Sequence, residues 1–142
     1  MLNIRHAGIV VTDMKRSIDF YTNLLGFKIE KNMIESGSYI DNLLSIKEGK
    51  VNTVKMSLRD GGMIELLQFI NNPELPKDNR LTDIGCTHFA MTVDNLEQTY
   101  NNLVMSGVRF LSEPQYSPDG FARVVFCEDP DGTFIELVEE MK

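Results

Sequence analysis

The sequence is short of several residue types, and each shortage excludes a class of protein. Its 142 residues include no tryptophan and only two cysteines, which excludes a small fold held together by several disulfides. No apolar run is long enough to cross a bilayer, and the first residues contain no apolar signal core. We therefore expect a cytoplasmic protein that does not enter a membrane.

Positive charge is also scarce. There are 14 lysines and arginines against 21 aspartates and glutamates, for a net charge of -7 and a sequence pI of about 4.8. Binding to nucleic acid or to anionic lipid needs clustered basic residues, and the sequence has no such run. Hydrophobic residues make up 42% and charged residues 25%, which is typical of one globular domain of ordinary size.

The sequence does contain an internal repeat. A strand-like run begins at His6 in the first half and another begins at His88 in the second. Apolar residues at steps of three or four predict a helix after each run, ended by Gly26 or Gly107. Four residues are candidates to cap the two helix starts: Thr12 or Asp13, and Asp94 or Asn95.

Three further strands complete each half. In the first half we predict strands at 27–33, 51–58 and 63–67, and in the second at 108–111, 122–127 and 133–138. Each half is thus β-α-β-β-β, and the fold class is α+β, with two pseudo-symmetric βαβββ modules. We expect a single domain over 1–142, made of modules 1–70 and 86–142 and a linker 71–85 that contains Pro73 and Pro76. The stretch 36–50 has no equal counterpart and is predicted to be a loop with a short helical turn.

Four residues in this repeat carry the chemistry. His6 and His88 are the only histidines, and Glu65 and Glu136 each lie in an Ile-Glu-Leu tripeptide of the last strand. A carboxylate among apolar neighbours is costly unless it is paired. Two imidazoles and two carboxylates neutralise one divalent cation, and such a set suits Zn, Ni, Co, Mn or Fe. We predict that these four residues are metal ligands.

A simpler interpretation exists for each residue alone. A lone histidine on a strand is usually a hydrogen-bonded core residue, and a lone glutamate near a strand end usually faces solvent. Their recurrence at equivalent places in both halves favours the metal site. The two cysteines, Cys86 and Cys127, are interpreted as small buried hydrophobes.

Several motifs resemble those of one known superfamily. They are the histidine strand, the helix 16–21 of sequence Arg-Ser-Ile-Asp-Phe-Tyr, the Leu-Gly-Phe that follows it, and the ending Asp-Pro-Asp-Gly…Ile-Glu-Leu. The chain resembles the vicinal oxygen chelate superfamily, which includes glyoxalases, bleomycin-resistance proteins and extradiol dioxygenases. The resemblance implies modules forming an incomplete barrel around a metal, a small-molecule substrate with two adjacent oxygens, and a homodimer.

The ligand order His, Glu, His, Glu is similar to that of bacterial glyoxalase I, a lactoylglutathione lyase. The resemblance implies proton transfer through a metal-bound enolate, with Glu136 or Glu65 as the base. Glutathione-dependent members have an Arg four residues after the first His and an Asn four residues after the first liganding Glu. Here those positions are Val10 and Phe69, so the resemblance does not extend to glutathione recognition.

Other activities of the superfamily remain alternatives. One is a methylmalonyl-CoA epimerase-like enzyme, although that group usually has Gln where Glu65 stands. Another is an Fe(II) extradiol dioxygenase that uses both histidines and one glutamate. A third is a metal-free drug-binding resistance protein, which would lack the four ligands. Arg5 and Arg123 are each either an anchor for an anionic substrate or a surface cation.

Overall fold

A computed structural model describes residues 1–71, 73 and 78–142. The chain divides into two compact units, Met1–Lys77 and Asp78–Lys142. Residues 72 and 74–77 of the predicted linker, including Pro76, lie outside the described residues. No helix in the described part of the chain is long and apolar enough to cross a membrane.

The first unit is an open four-stranded mixed sheet with helices. Strand β1 runs parallel to β4, and the remaining neighbours are antiparallel, in the order β1-β4-β3-β2. Its elements are β1 (Ala7–Val10), α1 (Met14–Asp19) with a π-helical turn (Phe20–Leu24), β2 (Lys28–Ser36), α2 (Ser38–Leu44), β3 (Lys50–Ser57) and β4 (Met63–Phe69).

The second unit repeats this plan. Its sheet has the order β5-β8-β7-β6, again with the first strand parallel to the last and the others antiparallel. Its elements are β5 (His88–Thr92), α3 (Leu96–Met105), β6 (Gln115–Tyr116), β7 (Ala122–Glu128) and β8 (Phe134–Glu140). The predicted α+β fold of two βαβββ modules is confirmed.

The ends of the helices follow from side chains predicted at those places. Asp13 accepts a hydrogen bond from the backbone N–H of Arg16, and Asn95 accepts one from Gln98, so these two residues are the caps. Gly26 and Gly107 have φ of +80° and +84°, a left-handed conformation that glycine adopts without steric cost. Each helix therefore begins and ends where the local sequence favours it.

Strand alternation separates a core face from a second face in each sheet. In the first unit α1 packs against β4, and in the second α3 packs against β8. The core faces contribute mostly aliphatic residues that are almost fully buried: Ile9, Val54, Met56, Ile64 and Leu66 in the first unit, and Val125, Cys127, Ile135 and Leu137 in the second. The glutamates between these residues in β4 and β8 consequently point to the other face.

Three local predictions were wrong or incomplete. The strand at 108–111 does not form. Phe110 makes only an isolated bridge to Cys127, and the edge strand is the two-residue β6 further along. Cys86 is exposed rather than buried, because it lies before β5 and outside the core. The loop at 36–50 contains a full helix, α2, whose end is fixed when Asp41 accepts hydrogen bonds from the N–H groups of Glu48 and Gly49.

Candidate metal centre

The first unit brings His6 and Glu65 together. His6 lies directly before β1, and Glu65 lies in β4, the strand parallel to β1. Nε2 of His6 is 3.7 Å from Oε1 of Glu65. Gly8, the register partner of Glu65 on β1, is exposed and has no side chain to cover the carboxylate. The surface beside this pair is therefore open on the β1 side.

The second unit brings His88 and Glu136 together in the same way. Nε2 of His88 is 3.2 Å from Oε2 of Glu136. The register partner of Glu136 on β5 is Ala90, again a small and exposed residue. The ring of His88 also contacts Phe126 edge to face, with the ring centroids 5.0 Å apart. This ring contact thus helps to hold the imidazole next to its carboxylate.

The two pairs occupy matching positions in their sheets. Gly8 pairs with Glu65 in parallel register, as Ala90 pairs with Glu136. The repeat detected in the sequence is therefore also a repeat of strand register.

A hydroxyl group orients the second imidazole. Oγ1 of Thr87 lies 3.0 Å from Nδ1 of His88. When Nδ1 carries the proton and donates to this hydroxyl, Nε2 presents its lone pair toward Glu136. Outer partners of this kind fix the tautomer of metal-binding histidines. The residue before His6 is an arginine, so the first pair lacks this feature.

Both carboxylates are largely shielded from solvent. The side chains of Glu65 and Glu136 are 17% and 23% exposed. In β8 the residues on either side, Ile135 and Leu137, are fully buried. A charged group at such a site needs a partner, because desolvation of an unpaired carboxylate is costly. A partner histidine or a cation meets that need.

The separation of the donor atoms fits a divalent cation. Two N or O ligands at about 2.1 Å from one cation, at tetrahedral or octahedral angles, are roughly 3.0–3.4 Å apart. The 3.2 Å separation of His88 and Glu136 lies in this interval, and the 3.7 Å separation of His6 and Glu65 exceeds it by an amount that a small side-chain rotation removes. Within each unit, the described residues contain no group of three or more His, Cys, Asp or Glu side chains close enough to hold a metal.

Two residues next to the glutamates were missed by the sequence interpretation. Lys55 on β3 is the direct cross-strand partner of Glu65, and Phe126 on β7 is that of Glu136. Both stand ten residues before their glutamate. The equal spacing in the two halves is visible in the sequence. It identifies the cross-strand partner of each glutamate only when the antiparallel register of the two strands is known.

Arg5 and Arg123, the two candidate anchors for an anionic substrate, are not both available for that role. Arg123 lies on the face of β7 opposite to Glu136, together with Val125 and Cys127. Its guanidinium is 2.6 Å from a carboxylate oxygen of Glu97 and stacks over the ring of Tyr116. The hydrogen bond that Arg123 donates to Glu97 raises the pKa of Arg123 above its ordinary value. Arg123 is therefore a structural cation on the helix side of the sheet, whereas Arg5 is exposed.

Comparison with known proteins agrees with this architecture. The family model of the Glyoxalase/Bleomycin resistance protein/Dioxygenase superfamily matches residues 3–137. A lactoylglutathione lyase from Escherichia coli O157:H7 is 31% identical over 139 residues, covering 98% of this chain and 93% of that protein. An uncharacterized protein of Bacillus subtilis, YwkD, is 30% identical over 141 residues, covering 97% of each.

The fold also matches a solved structure over its whole length. A glyoxalase family protein from Bacillus cereus superimposes with a TM-score of 0.89 at 22% identity, covering 100% of this chain and 96% of that one. The family model covers nearly all of the sequence, and this solved structure shares the fold. The chain therefore belongs to the Glyoxalase/Bleomycin resistance protein/Dioxygenase superfamily.

Proposed function

We propose that this chain is a divalent-metal-dependent enzyme of the glyoxalase I type that moves a proton between adjacent carbons of a small molecule. The observation that carries the proposal is the matching register of the His6–Glu65 and His88–Glu136 pairs. The relatives named lactoylglutathione lyase support it at about 30% identity.

The four proposed ligands are His6, Glu65, His88 and Glu136. When bound, a divalent cation would supply Lewis acidity for the negative charge that develops on a substrate oxygen. Neutral imidazoles and ionised carboxylates are the forms that bind such a cation. The Thr87 hydroxyl supports this role by orienting His88.

Glu136 is proposed to be the base. Its carboxylate takes a proton from the carbon that carries the hydroxyl group and returns it to the neighbouring carbonyl carbon, while the hydroxyl proton passes to the former carbonyl oxygen. The carbon skeleton stays intact, and one carbon is oxidised as its neighbour is reduced, so no external oxidant is needed. Phe126 and Phe134 flank the site on this face and keep water from competing for the proton. Glu65 is the alternative base.

The neighbouring chain is also part of the proposal. Each sheet is open, and β1 and β5 are edge strands whose backbone groups need cover. We propose a homodimer, in which the ligand pairs come from one chain or from two. Light scattering that gives the 16.1 kDa mass of a single chain across micromolar to millimolar concentrations would contradict it.

The test of the activity is exchange of the substrate proton with solvent deuterium. Wild type, Glu136→Gln and Glu140→Gln are reconstituted with Ni, Co, Zn or Mn and given the methylglyoxal–glutathione adduct or methylmalonyl-CoA. Glu136→Gln should lose about 10² to 10⁴ in exchange rate, because an amide cannot act as a base. Glu140 is exposed and lies on the same face of β8, so its variant is the matched control.

Each outcome has a defined meaning. Exchange with methylmalonyl-CoA alone would favour the epimerase. Exchange that survives in metal-loaded Glu136→Gln would assign the base to Glu65. No exchange in wild type with any of the four metals would remove both isomerase proposals and favour the dioxygenase or the binding protein.

A further inference from the structure

One row of residues crosses the sheet of the first unit from edge to edge. By register, Lys31 on β2 pairs with Lys55 on β3, Lys55 pairs with Glu65 on β4, and Glu65 pairs with Gly8 on β1. Register partners share a face of the sheet. Two lysines therefore lie on the face that carries the His6–Glu65 pair, Lys55 on the neighbouring strand and Lys31 one strand further away.

The two lysines form a like-charged cross-strand pair. Like charges directly opposite each other destabilise a sheet, and cross-strand partners lie about 5 Å apart at Cβ. A β-bulge between Ile29 and Lys31 interrupts the regular ladder at this point and changes the direction of the strand that carries Lys31. Lys55 lies opposite Glu65, but it also faces Lys31, so this row holds more positive charge than the one carboxylate balances.

The nearby carboxylates have other partners. Glu65 faces His6, and Glu30, the bulged residue, accepts a 2.5 Å hydrogen bond from the Ser57 hydroxyl. Among the described residues no carboxylate lies within 4 Å of the Lys55 ammonium group. The Lys55 side chain is half-buried, which keeps its charge near the site and only partly screened.

The second unit differs at the equivalent position. Phe126 stands there, and its ring packs against His88. The repeat thus places a hydrophobic ring beside one His–Glu pair and an ammonium group beside the other. A residue that only supported the sheet would have no reason to differ in this way.

We propose that Lys55, assisted by Lys31, binds an oxyanion of the substrate, either a carboxylate or a phosphoryl group. This assignment rests on the proposed function, since the oxyanion belongs to the molecule whose adjacent oxygens meet the His–Glu pairs. Lys55 and Glu65 are direct cross-strand partners, with Cβ atoms about 5 Å apart, so an oxyanion bound by Lys55 would lie a few bonds from the adjacent oxygens. The substrate class is therefore a small anionic compound, and Lys55 is the residue that selects it.

The experiment uses probes that bind without reacting. Acetohydroxamate offers two adjacent oxygens and a neutral methyl group. Malonohydroxamate and phosphonoacetohydroxamate have the same head with a carboxylate or a phosphonate tail. Dissociation constants are measured by calorimetry on the metal-loaded protein. The variants are Lys55→Gln, Lys55→Arg, which keeps the charge, and Lys50→Gln, a control on the opposite face of the same strand.

Wild type should bind an anionic probe more tightly than acetohydroxamate. Lys55→Gln should weaken that anionic probe by roughly 10- to 100-fold, the usual worth of a charge-assisted hydrogen bond. Acetohydroxamate should be unaffected, Lys55→Arg should restore most of the difference, and Lys50→Gln should match wild type. Whichever tail shows the effect identifies the oxyanion.

The proposal that Lys55 binds an oxyanion is overturned by either of two results. One is that neither anionic probe binds wild type, and the other is that Lys55→Gln leaves the ratio of the dissociation constants of the anionic and neutral probes unchanged. The proposed metal site is judged separately by acetohydroxamate. If that neutral probe fails to bind while an anionic probe binds through Lys55, the result supports oxyanion binding by Lys55 and contradicts the proposed metal site. Thermal unfolding of each variant confirms that lost binding is not lost folding.

Discussion

Glu65 and Glu136 hold the same register position in their two sheets, one beside Gly8 and the other beside Ala90. Each carboxylate therefore stands next to a residue too small to cover it, and each has one histidine nitrogen within 4 Å. A glutamate that only faced solvent would not need a small neighbour, a shielded position and an imidazole in both halves of the chain. This agreement is the basis of the metal prediction.

We predict that the purified protein binds about one divalent cation per chain, with affinity that falls at acidic pH because the ligands must be deprotonated. His6→Ala or His88→Ala should each remove most of the metal, since each eliminates one of only two nitrogen ligands. Metal content is measured by elemental analysis after dialysis. Full occupancy in both variants would refute the assignment, and Glu140→Gln should behave as wild type.

Much of this arrangement follows from local sequence. The helix caps, the left-handed glycines and the strand alternation are each decided by a few neighbouring residues. Gly26 could therefore be assigned from the sequence, and each cap could be narrowed to two adjacent residues, of which Asp13 and Asn95 are the ones observed. The repeat added information that no single segment contains. It identified His6 and His88 as equivalent positions before either could be placed in a sheet.

The features that were missed depend on tertiary pairing. Residues 108–111 have the composition of a strand, but Phe110 turns its ring onto Tyr100 of α3, and Pro114 interrupts the segment before β6. The prediction that Cys86 is buried would require β5 to begin at or before residue 86, whereas β5 begins at His88. The position of Lys55 opposite Glu65 depends on the antiparallel register of β3 with β4, which the alternation of residues along one strand does not reveal.

The two thiols are expected to differ sharply in reactivity. Burial raises the pKa of Cys127 to about 12, and the nucleophile in alkylation is the thiolate. Cys86 is exposed. In native protein at pH 8, iodoacetamide should label Cys86 alone, and in denaturant it should label both, as read by peptide mass analysis. Rapid labelling of native Cys127 would mean that the second unit opens readily in solution.

The same shift has a consequence for stability. Because the folded state holds the Cys127 proton more tightly than the unfolded chain does, its contribution to stability is complete below about pH 9 and declines as the pH rises toward 12. Cys127→Val, which keeps an apolar side chain there, should abolish this part of the alkaline loss. Urea unfolding of both proteins at neutral and alkaline pH measures the difference.

Two apolar residues of the first unit, Val10 and Phe69, bear on which thiol the substrate can carry. Val10 shares a face with Gly8, and Phe69 shares a face with Glu65, so both lie on the face of the sheet that carries the first His–Glu pair. Val10 is 59% exposed and offers no hydrogen bond donor. These are the positions where glutathione-dependent members of the superfamily are expected to have Arg and Asn. The side chains of Val10 and Phe69 offer no polar group that could bind the charged glutamyl end of glutathione.

We therefore predict that hemithioacetals of methylglyoxal with glutathione and with 3-mercaptopropionate, which keeps an anionic group but lacks the glutamyl end, are converted with kcat/KM values within about tenfold of each other, the range that contacts without charge usually give. The double variant Val10→Arg with Phe69→Asn should raise the preference for glutathione by roughly 10-fold or more, because it adds charge-assisted hydrogen bonds. Val10→Leu is the control and should leave the ratio unchanged. A wild-type enzyme that already strongly prefers glutathione would show that other residues bind the glutamyl group, and the argument from these two apolar side chains would fail.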